Sequence, residues 1–230
     1  MKYDVIAIDF VGTLAKLCPD DGEIVSEFLQ INNFQASRSD IESALKLAQK
    51  NLPYSSIKIR TPEERRSYLL EFNELTLELL GCSAGGADLF KHFSATKRHW
   101  VLANGATERK LGALRNLCKT MVVASNFDAS LRSKLSSLDI FDCFDRAYSS
   151  QLMGVEKPDL EFFRRISRAE SAHAERILMI GDSVDLDVSP AREVGWSAIL
   201  MSRELGIEVV SHSHVESVAS FDDLLARLSN

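Results

Sequence analysis

Four short apolar runs, each ending in a polar residue, constrain the fold of this chain more than any other feature. The runs cover residues 3–9, 120–126, 176–182 and 197–202, and residues 146–150 form a weaker fifth candidate. Strands that are apolar along their whole length are typical of a parallel sheet covered on both faces. Helical patterns separate most of these runs. Strand–helix alternation with right-handed crossovers predicts a doubly wound α/β sheet.

One long gap, between the first two runs, breaks this alternation and reads as helix. In "TPEERRSYLLEFNELTLELLG", Thr61 and Glu64 predict a capping box, Pro62 suits the first helical turn and Gly81 suits the end. Helices are also predicted in "GEIVSEFLQI", "SRSDIESALKLAQKNL" and "GGADLFKHFSATK". We therefore predict a helical cap domain over residues 15–103, inserted into a core domain of residues 1–14 and 104–230.

The helical periodicity also predicts which side chains of the insertion are buried. The predicted apolar stripe of the third helix is formed by Leu69, Phe72, Leu75 and Leu79. In the second helix, Ile41, Leu45 and Leu47 are the candidates for burial.

Composition excludes several classes of protein. Of 230 residues, 45% are hydrophobic and 26% are charged, which is ordinary globular usage. The net charge of -6 argues against a nucleic-acid binder, although a small anionic substrate remains compatible with it. The four cysteines are far apart and fit no metal motif, the start lacks the pattern of a signal peptide, and no apolar run could span a bilayer. We expect a cytoplasmic protein without membrane or nucleic-acid partners.

Polar side chains gather where the predicted strands end. Asp9 ends the first run, Ser125 and Asn126 end the second, and Asp182 ends the third. Lys157 lies in "GVEKPD", at the predicted start of the helix before that third run. Ligands of open α/β sheets bind at the carboxyl ends of the strands, so these side chains mark a candidate site.

The order of these residues resembles the haloacid dehalogenase (HAD) superfamily. Its motifs run D-x-D-x-[TV], then S/T, then K, then GDxxxxD, and the stretches "VVASNFD", "GVEKPD" and "IGDSVDLDVSPAREVGW" match them. The resemblance covers the whole chain, including a small helical cap, and is strongest to phosphatase-type members with an S-N-F-D second motif. It implies the strand order 3-2-1-4-5.

The resemblance also implies the catalytic and metal-binding residues. Asp9 would be the nucleophile that forms an aspartyl-phosphate. Mg²⁺ would be held by Asp9, the backbone carbonyl of Val11 and Asp182. Substrate would be a small phosphorylated metabolite, and the protein a monomer or homodimer.

The remaining matched residues would serve the phosphoryl group. Ser125, Asn126 and Lys157 would bind it, and Lys157 would also pair with Asp9. Asp187 would orient Lys157 or metal-bound water, and Thr13 would brace the loop.

Val11 departs from the family pattern, because phosphatase relatives carry a second Asp there as general acid and base. Loss of such a group typically slows catalysis about 10²–10⁴-fold. Three interpretations stay open. The first is a slow phosphatase whose proton transfer is done by a substrate group, a water or a cap residue. The second is different chemistry, either cleavage of carbon–phosphorus bonds through a cap lysine or cleavage of carbon–halogen bonds, against which the Gly-Asp metal motif argues because dehalogenases do not use it. The third is a non-catalytic binding protein. The candidates for proton transfer are His92, His99 and Glu64; those for the lysine are Lys46, Lys50 and Lys58. His212 and His214 read as a solvated loop rather than a metal site.

Overall fold

The computed structural model describes residues 2–202 and 216–229, so His212 and His214 lie outside the described residues. The chain divides into two compact units, which we call the core unit (Met1–Lys16 with Trp100–Asn230) and the helical unit (Leu17–His99). The predicted cap boundaries, residues 15–103, differ from this division by a few residues at each end.

A parallel sheet organises the core unit. The strands of the described residues are β1 Val5–Ile8, β2 Ala15–Cys18, β3 His99–Leu102, β4 Thr120–Ser125, β5 Arg146–Ser149, β6 Ile177–Gly181, β7 Ser197–Met201 and β8 Ser217–Val218. The large sheet has the order β5-β4-β1-β6-β7-β8, and its pairings are parallel. The doubly wound α/β prediction is confirmed, and its first five strands follow the order that the resemblance implied.

Three strands were missed by the sequence analysis. β8 extends the edge of the large sheet, and β2 pairs with β3 in a separate two-stranded sheet. The fully helical interpretation of residues 15–103 is therefore wrong at both ends of that range. Each of these strands is at most four residues long and partly exposed, so none shows an apolar period that could be recognised.

Helices account for most of the remaining described residues. Those of the helical unit are α1 Asp21–Ile31, α2 Arg38–Asn51, α3 Pro62–Leu80 and α4 Gly86–Ala95. Those of the core unit are α5 Glu108–Arg115, α6 Leu131–Ser137, α7 Ser150–Met153, α8 Leu160–Glu170, α9 Ser189–Glu193 and α10 Phe221–Leu228. Within the described ranges, none of these helices has both the length and the apolar character that a membrane span needs.

The sheet is buried on both faces, as its continuous apolar strands predict. In β1, Ile6 and Ile8 belong to one apolar cluster, whereas Val5 and Ala7 belong to another. Alternate side chains of a strand point to opposite faces, so each cluster covers one face. This double cover leaves the strand ends as the places where polar side chains can reach solvent.

The helical unit has its own apolar core, but α3 presents a different face to it than predicted. Asn73, Thr76 and Leu77 are its buried residues, whereas Leu79 is 38% exposed. The predicted stripe is therefore wrong at Leu79, whereas Leu69, Phe72 and Leu75 are half-buried. The reason lies at the start of α4, where a Cβ on Gly86 would come within 2.5 Å of the Glu74 backbone nitrogen. Such close approach selects the helix face with small side chains.

The buried face of α2 also differs from the one predicted from its large apolar residues. Ile41 is buried in α2 as predicted and Leu45 packs half-buried against the same apolar cluster. Ala44 and Ala48 complete the buried face, and Leu47 is exposed. Small residues again face the packed side, which periodicity of large apolar residues alone does not reveal.

The capping box of α3 gives a stability test. Thr61 Oγ1 accepts a hydrogen bond from the Glu64 backbone N–H at 3.1 Å, and Glu64 accepts one from the Thr61 N–H at 3.0 Å. Thr61→Ala is expected to lower the free energy of unfolding by about 0.5–2 kcal/mol in urea titrations followed by circular dichroism. Thr61→Ser keeps the cap and should lose much less; equal losses in both variants would contradict the assignment.

Candidate active site

The carboxyl edge of the sheet brings the predicted side chains together. β1 lies between β4 and β6, with Ile8 paired to Val123 on one side and Ile180 on the other. Asp9 follows β1 directly, Ser125 ends β4 and Asp182 follows β6. Lys157 lies in the loop before α8 rather than at the start of that helix.

Lys157 is the centre of the site. The residue is 3% exposed, and its ammonium lies 2.8 Å from Asp9 Oδ1 and 2.5 Å from Asp187 Oδ1. Burial by itself would lower the pKa of Lys157, but the two carboxylates outweigh burial and raise it. The two ion pairs therefore favour the positively charged form of the side chain.

Ser125 completes the surroundings of Asp9. Its hydroxyl donates a hydrogen bond of 2.9 Å to Asp9 Oδ1, the oxygen that Lys157 also contacts. Among the described residues, no hydrogen bond is made to Asp9 Oδ2. The carboxylate of Asp9 is thus held by one oxygen while the other stays available.

Glycines allow the other two acids to approach. A Cβ on Gly181 would lie 2.3 Å from Asp187 Oδ2, and one on Gly12 would lie 2.0 Å from Asp182 Oδ2. Gly12 also has a φ of +87°, which favours glycine. Thr13 lies beside Asp182, with Oγ1 at 3.4 Å from its Oδ1. The two oxygens of Asp187 accept from Lys157 and from the Ser183 N–H.

Crowding of acids shifts their protonation. Asp182 is an exposed residue, but its carboxylate packs against Gly12 and faces the other acids. Loss of hydration, followed by repulsion from Asp9 and Asp187, raises the pKa of Asp182 to about 7. Burial also raises the pKa of Asp187, against the opposing effect of Lys157.

The chemistry of the donor set fits a hard divalent cation. Carboxylate oxygens of Asp9, Asp182 and Asp187 lie within 4.8 Å of one another. Three carboxylates and one ammonium leave two negative charges when all are ionised, which a divalent ion would balance. Oxygen donors are those that Mg²⁺ prefers. Both oxygens of Asp187 already accept hydrogen bonds, from Lys157 and from Ser183. The pair better placed to bind a cation is therefore Asp9 with Asp182.

Val11 lies on the loop after Asp9. It is 44% exposed, and its backbone forms a bridge with Ala15. Packing therefore does not require a valine side chain here.

Asn126 contacts the backbone of Lys157, a contact that its predicted role in substrate binding did not include. Its Nδ2 donates to the Lys157 carbonyl and its Oδ1 accepts from the Lys157 N–H, both at 2.8 Å. The amide thus positions the loop that carries Lys157. Substrate binding by Asn126 stays a prediction.

Asn104 is a residue that the sequence analysis missed. Its Nδ2 donates to the carbonyls of Gly12 and Thr13, at 2.7 Å and 2.9 Å, and its φ is +51°. It ties the loop after Asp9 to the chain that follows β3. The Asn-Gly pair in "LANGA" signals a turn, but no local pattern names partners so far away in sequence.

The candidates of the helical unit have other surroundings. Glu64 is used by its capping box, whose backbone hydrogen bond from Thr61 is the main cause of its lowered pKa. His92 Nε2 lies 3.7 Å from Glu27 Oε2 and has no hydrogen-bond partner among the described residues. His99 is exposed, as are Lys46, Lys50 and Lys58.

Comparison with known proteins decides the family. Residues 3–195 match the haloacid dehalogenase-like hydrolase family. The chain belongs to this family. It is 31% identical over 107 residues to a glyceraldehyde 3-phosphate phosphatase of Methanothermobacter thermautotrophicus, covering 45% of this chain and 46% of that protein. It is 32% identical over 113 residues to haloacid dehalogenase-like hydrolase domain-containing protein 3 of Xenopus laevis, covering 49% and 46%. The chain thus spans about half the length of the curated relatives it matches.

Solved structures of HAD hydrolases share the fold. The Bacillus subtilis HAD hydrolase YfnB, bound to magnesium, has a TM-score of 0.68 and 18% identity over the full length of both chains. A 2-haloacid dehalogenase of Pseudomonas syringae has a TM-score of 0.61 and 18% identity, covering 99% of this chain and 98% of that chain. The fold alone does not separate phosphatase from dehalogenase chemistry.

The contact between Gly181 and Asp187 can be tested directly. Gly181→Ala would push a methyl group into the Asp187 carboxylate, so it is expected to displace Asp187 from Lys157 and destabilise the chain. Gly112→Ala is the matched control, since nothing lies within 4 Å of its Cβ. Alanine in that helix interior should be neutral or stabilising by up to about 1 kcal/mol. Urea unfolding measures both; an unaffected Gly181→Ala would contradict the site geometry.

The raised pKa values predict a pH dependence of stability. Without divalent cations, the thermal midpoint should fall as pH rises from about 5 to about 8, because the folded chain still binds protons that the unfolded carboxyls have released. Asp182, with a pKa of about 7, and Asp187 carry this effect. Thermal unfolding in EDTA measures it. The slope should shrink in Asp182→Asn; a wild-type midpoint that rises across this range would contradict the assignment.

Proposed function

We propose that this HAD hydrolase is a magnesium-dependent phosphatase that acts on a small phosphorylated metabolite through an aspartyl-phosphate at Asp9. The observation that carries the proposal is the arrangement around Asp9, where Lys157 and Ser125 hold Oδ1 while Oδ2 accepts no hydrogen bond from described residues. The phosphatase names of relatives support the same class of chemistry.

In the proposed first step, Asp9 attacks phosphorus and the bond to the leaving oxygen breaks. The main barrier is the repulsion between the anionic nucleophile and the phosphoryl oxygens. Lys157, already beside Asp9, would offset this charge, and the Ser125 hydroxyl would turn from Asp9 to a phosphoryl oxygen. Lys157 is in place before substrate binds, so only the Ser125 hydroxyl has to reorient.

Asp9, the carbonyl of Val11 and Asp182 would hold Mg²⁺, which when bound supplies positive charge that offsets that of the phosphoryl group. Asp187 would keep Lys157 aligned, and Asn126 would fix the loop from which Lys157 projects. Asn104 and Thr13 would hold the loop that carries the Val11 carbonyl.

The alternatives differ in what the site does after binding. A non-catalytic binding protein would keep the metal and ligand contacts without turnover, and Val11 is the observation that favours it. Cleavage of carbon–phosphorus bonds needs a desolvated lysine. Lys46, Lys50 and Lys58 are all exposed, which gives that alternative no support.

The proposal is tested by phosphate release. Wild type with Mg²⁺ should release phosphate slowly from 4-nitrophenyl phosphate, and EDTA should abolish the release. Asp9→Asn should lower the rate by at least about 10³-fold because the attacking carboxylate is gone. Asp142→Asn changes an exposed acid in the same way and should keep the wild-type rate.

A beryllium fluoride adduct provides the complementary measurement. Beryllium fluoride with Mg²⁺ should raise the thermal midpoint of wild type but not of Asp9→Asn. Stabilisation of wild type without any turnover would favour the non-catalytic binding protein. Equal stabilisation of wild type and Asp9→Asn would contradict the assignment of Asp9 as the residue that accepts the phosphoryl group.

A further inference from the structure

Val11 is the one residue of the proposed site whose chemistry conflicts with its position. It comes two residues after Asp9, next to the residues proposed to hold the metal and the phosphoryl group, yet its side chain can neither donate nor accept a proton. At 44% exposure it contributes little to the core. The effect of having valine here is therefore on proton transfer at the site rather than on packing. Solvent-exposed valine also leaves room for polar substitutions of similar size.

The described residues of the core unit offer no substitute beside Asp9. Lys157 bridges Asp9 and Asp187, and loss of its proton would break both ion pairs. Ser125 is an alcohol and a very weak acid. Asp187 is fixed by Lys157 and Ser183, and Asp182 belongs to the proposed metal set.

The demand for a proton depends on what leaves phosphorus. An alkoxide is about as basic as hydroxide, whose conjugate acid has a pKa of about 15.7, so it leaves poorly without protonation. A phenolate corresponds to a pKa of about 10 and a carboxylate to about 4, so a carboxylate leaves readily as the anion. An aspartyl-phosphate is itself a mixed carboxylic–phosphoric anhydride. Transfer from an acyl phosphate to Asp9 therefore breaks one carboxyl–phosphorus anhydride bond and forms another of the same kind.

Resting on the proposed function, we propose that Val11 restricts this site to acyl phosphates as its substrate class, and that it makes the aspartyl-phosphate at Asp9 accumulate. In the first step, an Asp9 carboxylate oxygen bonds to phosphorus. The bond between phosphorus and the acyl oxygen breaks, and the carboxylate leaves with the electron pair, with no proton required.

In the second step, water attacks the same phosphorus and the bond to Asp9 breaks. The Asp9 carboxylate returns, inorganic phosphate leaves and one proton passes to solvent. No group at Val11 helps to remove that proton from water, so this step is slow compared with the first. Each chain should therefore hold a phosphoryl group for most of the catalytic cycle.

The experiment compares kcat/KM, which reports the first step, across leaving groups. The probes are acetyl phosphate, substituted phenyl phosphates and glyceraldehyde 3-phosphate, each corrected for non-enzymatic hydrolysis. Wild type is compared with two variants. Val11→Asp introduces a proton donor, and Val11→Asn has the shape of aspartate but transfers no proton. The exposure of Val11 makes both substitutions compatible with folding.

We expect wild type to prefer acetyl phosphate over glyceraldehyde 3-phosphate by at least about 10³-fold in kcat/KM. Val11→Asp should raise kcat/KM for glyceraldehyde 3-phosphate about 10²-fold or more, as general acid catalysis is worth about 10²–10⁴-fold. Val11→Asn cannot transfer a proton, so its gain for glyceraldehyde 3-phosphate should be at least about tenfold smaller than that of Val11→Asp. Wild-type values for the two substrates within about tenfold of each other would overturn the inference and leave the phosphatase proposal intact.

Intact mass and burst kinetics give an independent readout. Wild type in Mg²⁺ and acetyl phosphate should carry one added phosphoryl group per chain, and aryl phosphates should give a burst of phenolate close to the enzyme concentration. Val11→Asp should shorten the lifetime of the adduct at least about tenfold. An unmodified wild type that turns over acetyl phosphate would overturn the accumulation; absence of adduct and turnover in all chains would overturn the proposed function itself.

Discussion

A single buried ammonium, that of Lys157, is the interaction on which the rest of the site depends. Its pairing with Asp9 and Asp187 fixes two of the three acids that the sheet edge assembles. Removing one partner of a buried ion pair leaves an uncompensated charge, which is typically destabilising by about 3–5 kcal/mol. The site is therefore tied to folding: the same contacts that hold the carboxylates of Asp9 and Asp187 also stabilise the loops that carry them.

The backbone around this ammonium is shaped to let charges approach. Gly181 and Gly12 leave space for the carboxylates of Asp187 and Asp182, and Asn126 holds the Lys157 backbone from both sides. These contacts join distant parts of the chain that meet only because β1 lies between β4 and β6. We infer that sheet topology fixes the positions of the site residues, whereas the charge of the site comes from their side chains.

Much of this could be predicted from the sequence, for identifiable physical reasons. Continuous apolar strands predict a doubly covered parallel sheet, and the acids at strand ends then fall on one edge. Asn104 and the buried face of α3 could not be predicted. The partners of Asn104 are set by topology, and the α3 face is set by close approach at Gly86, a term that apolar periodicity does not contain.

The central claim is that Asp9 and Asp182, next to an acid-paired Lys157, form one site for one divalent cation. Calorimetric titration of the metal-free full chain with Mg²⁺ tests it most directly. We expect saturable binding of a single ion per chain, which Asp9→Asn and Asp182→Asn each remove and Asp142→Asn retains. Equal binding by Asp9→Asn and wild type, or no saturable binding by wild type, would contradict it.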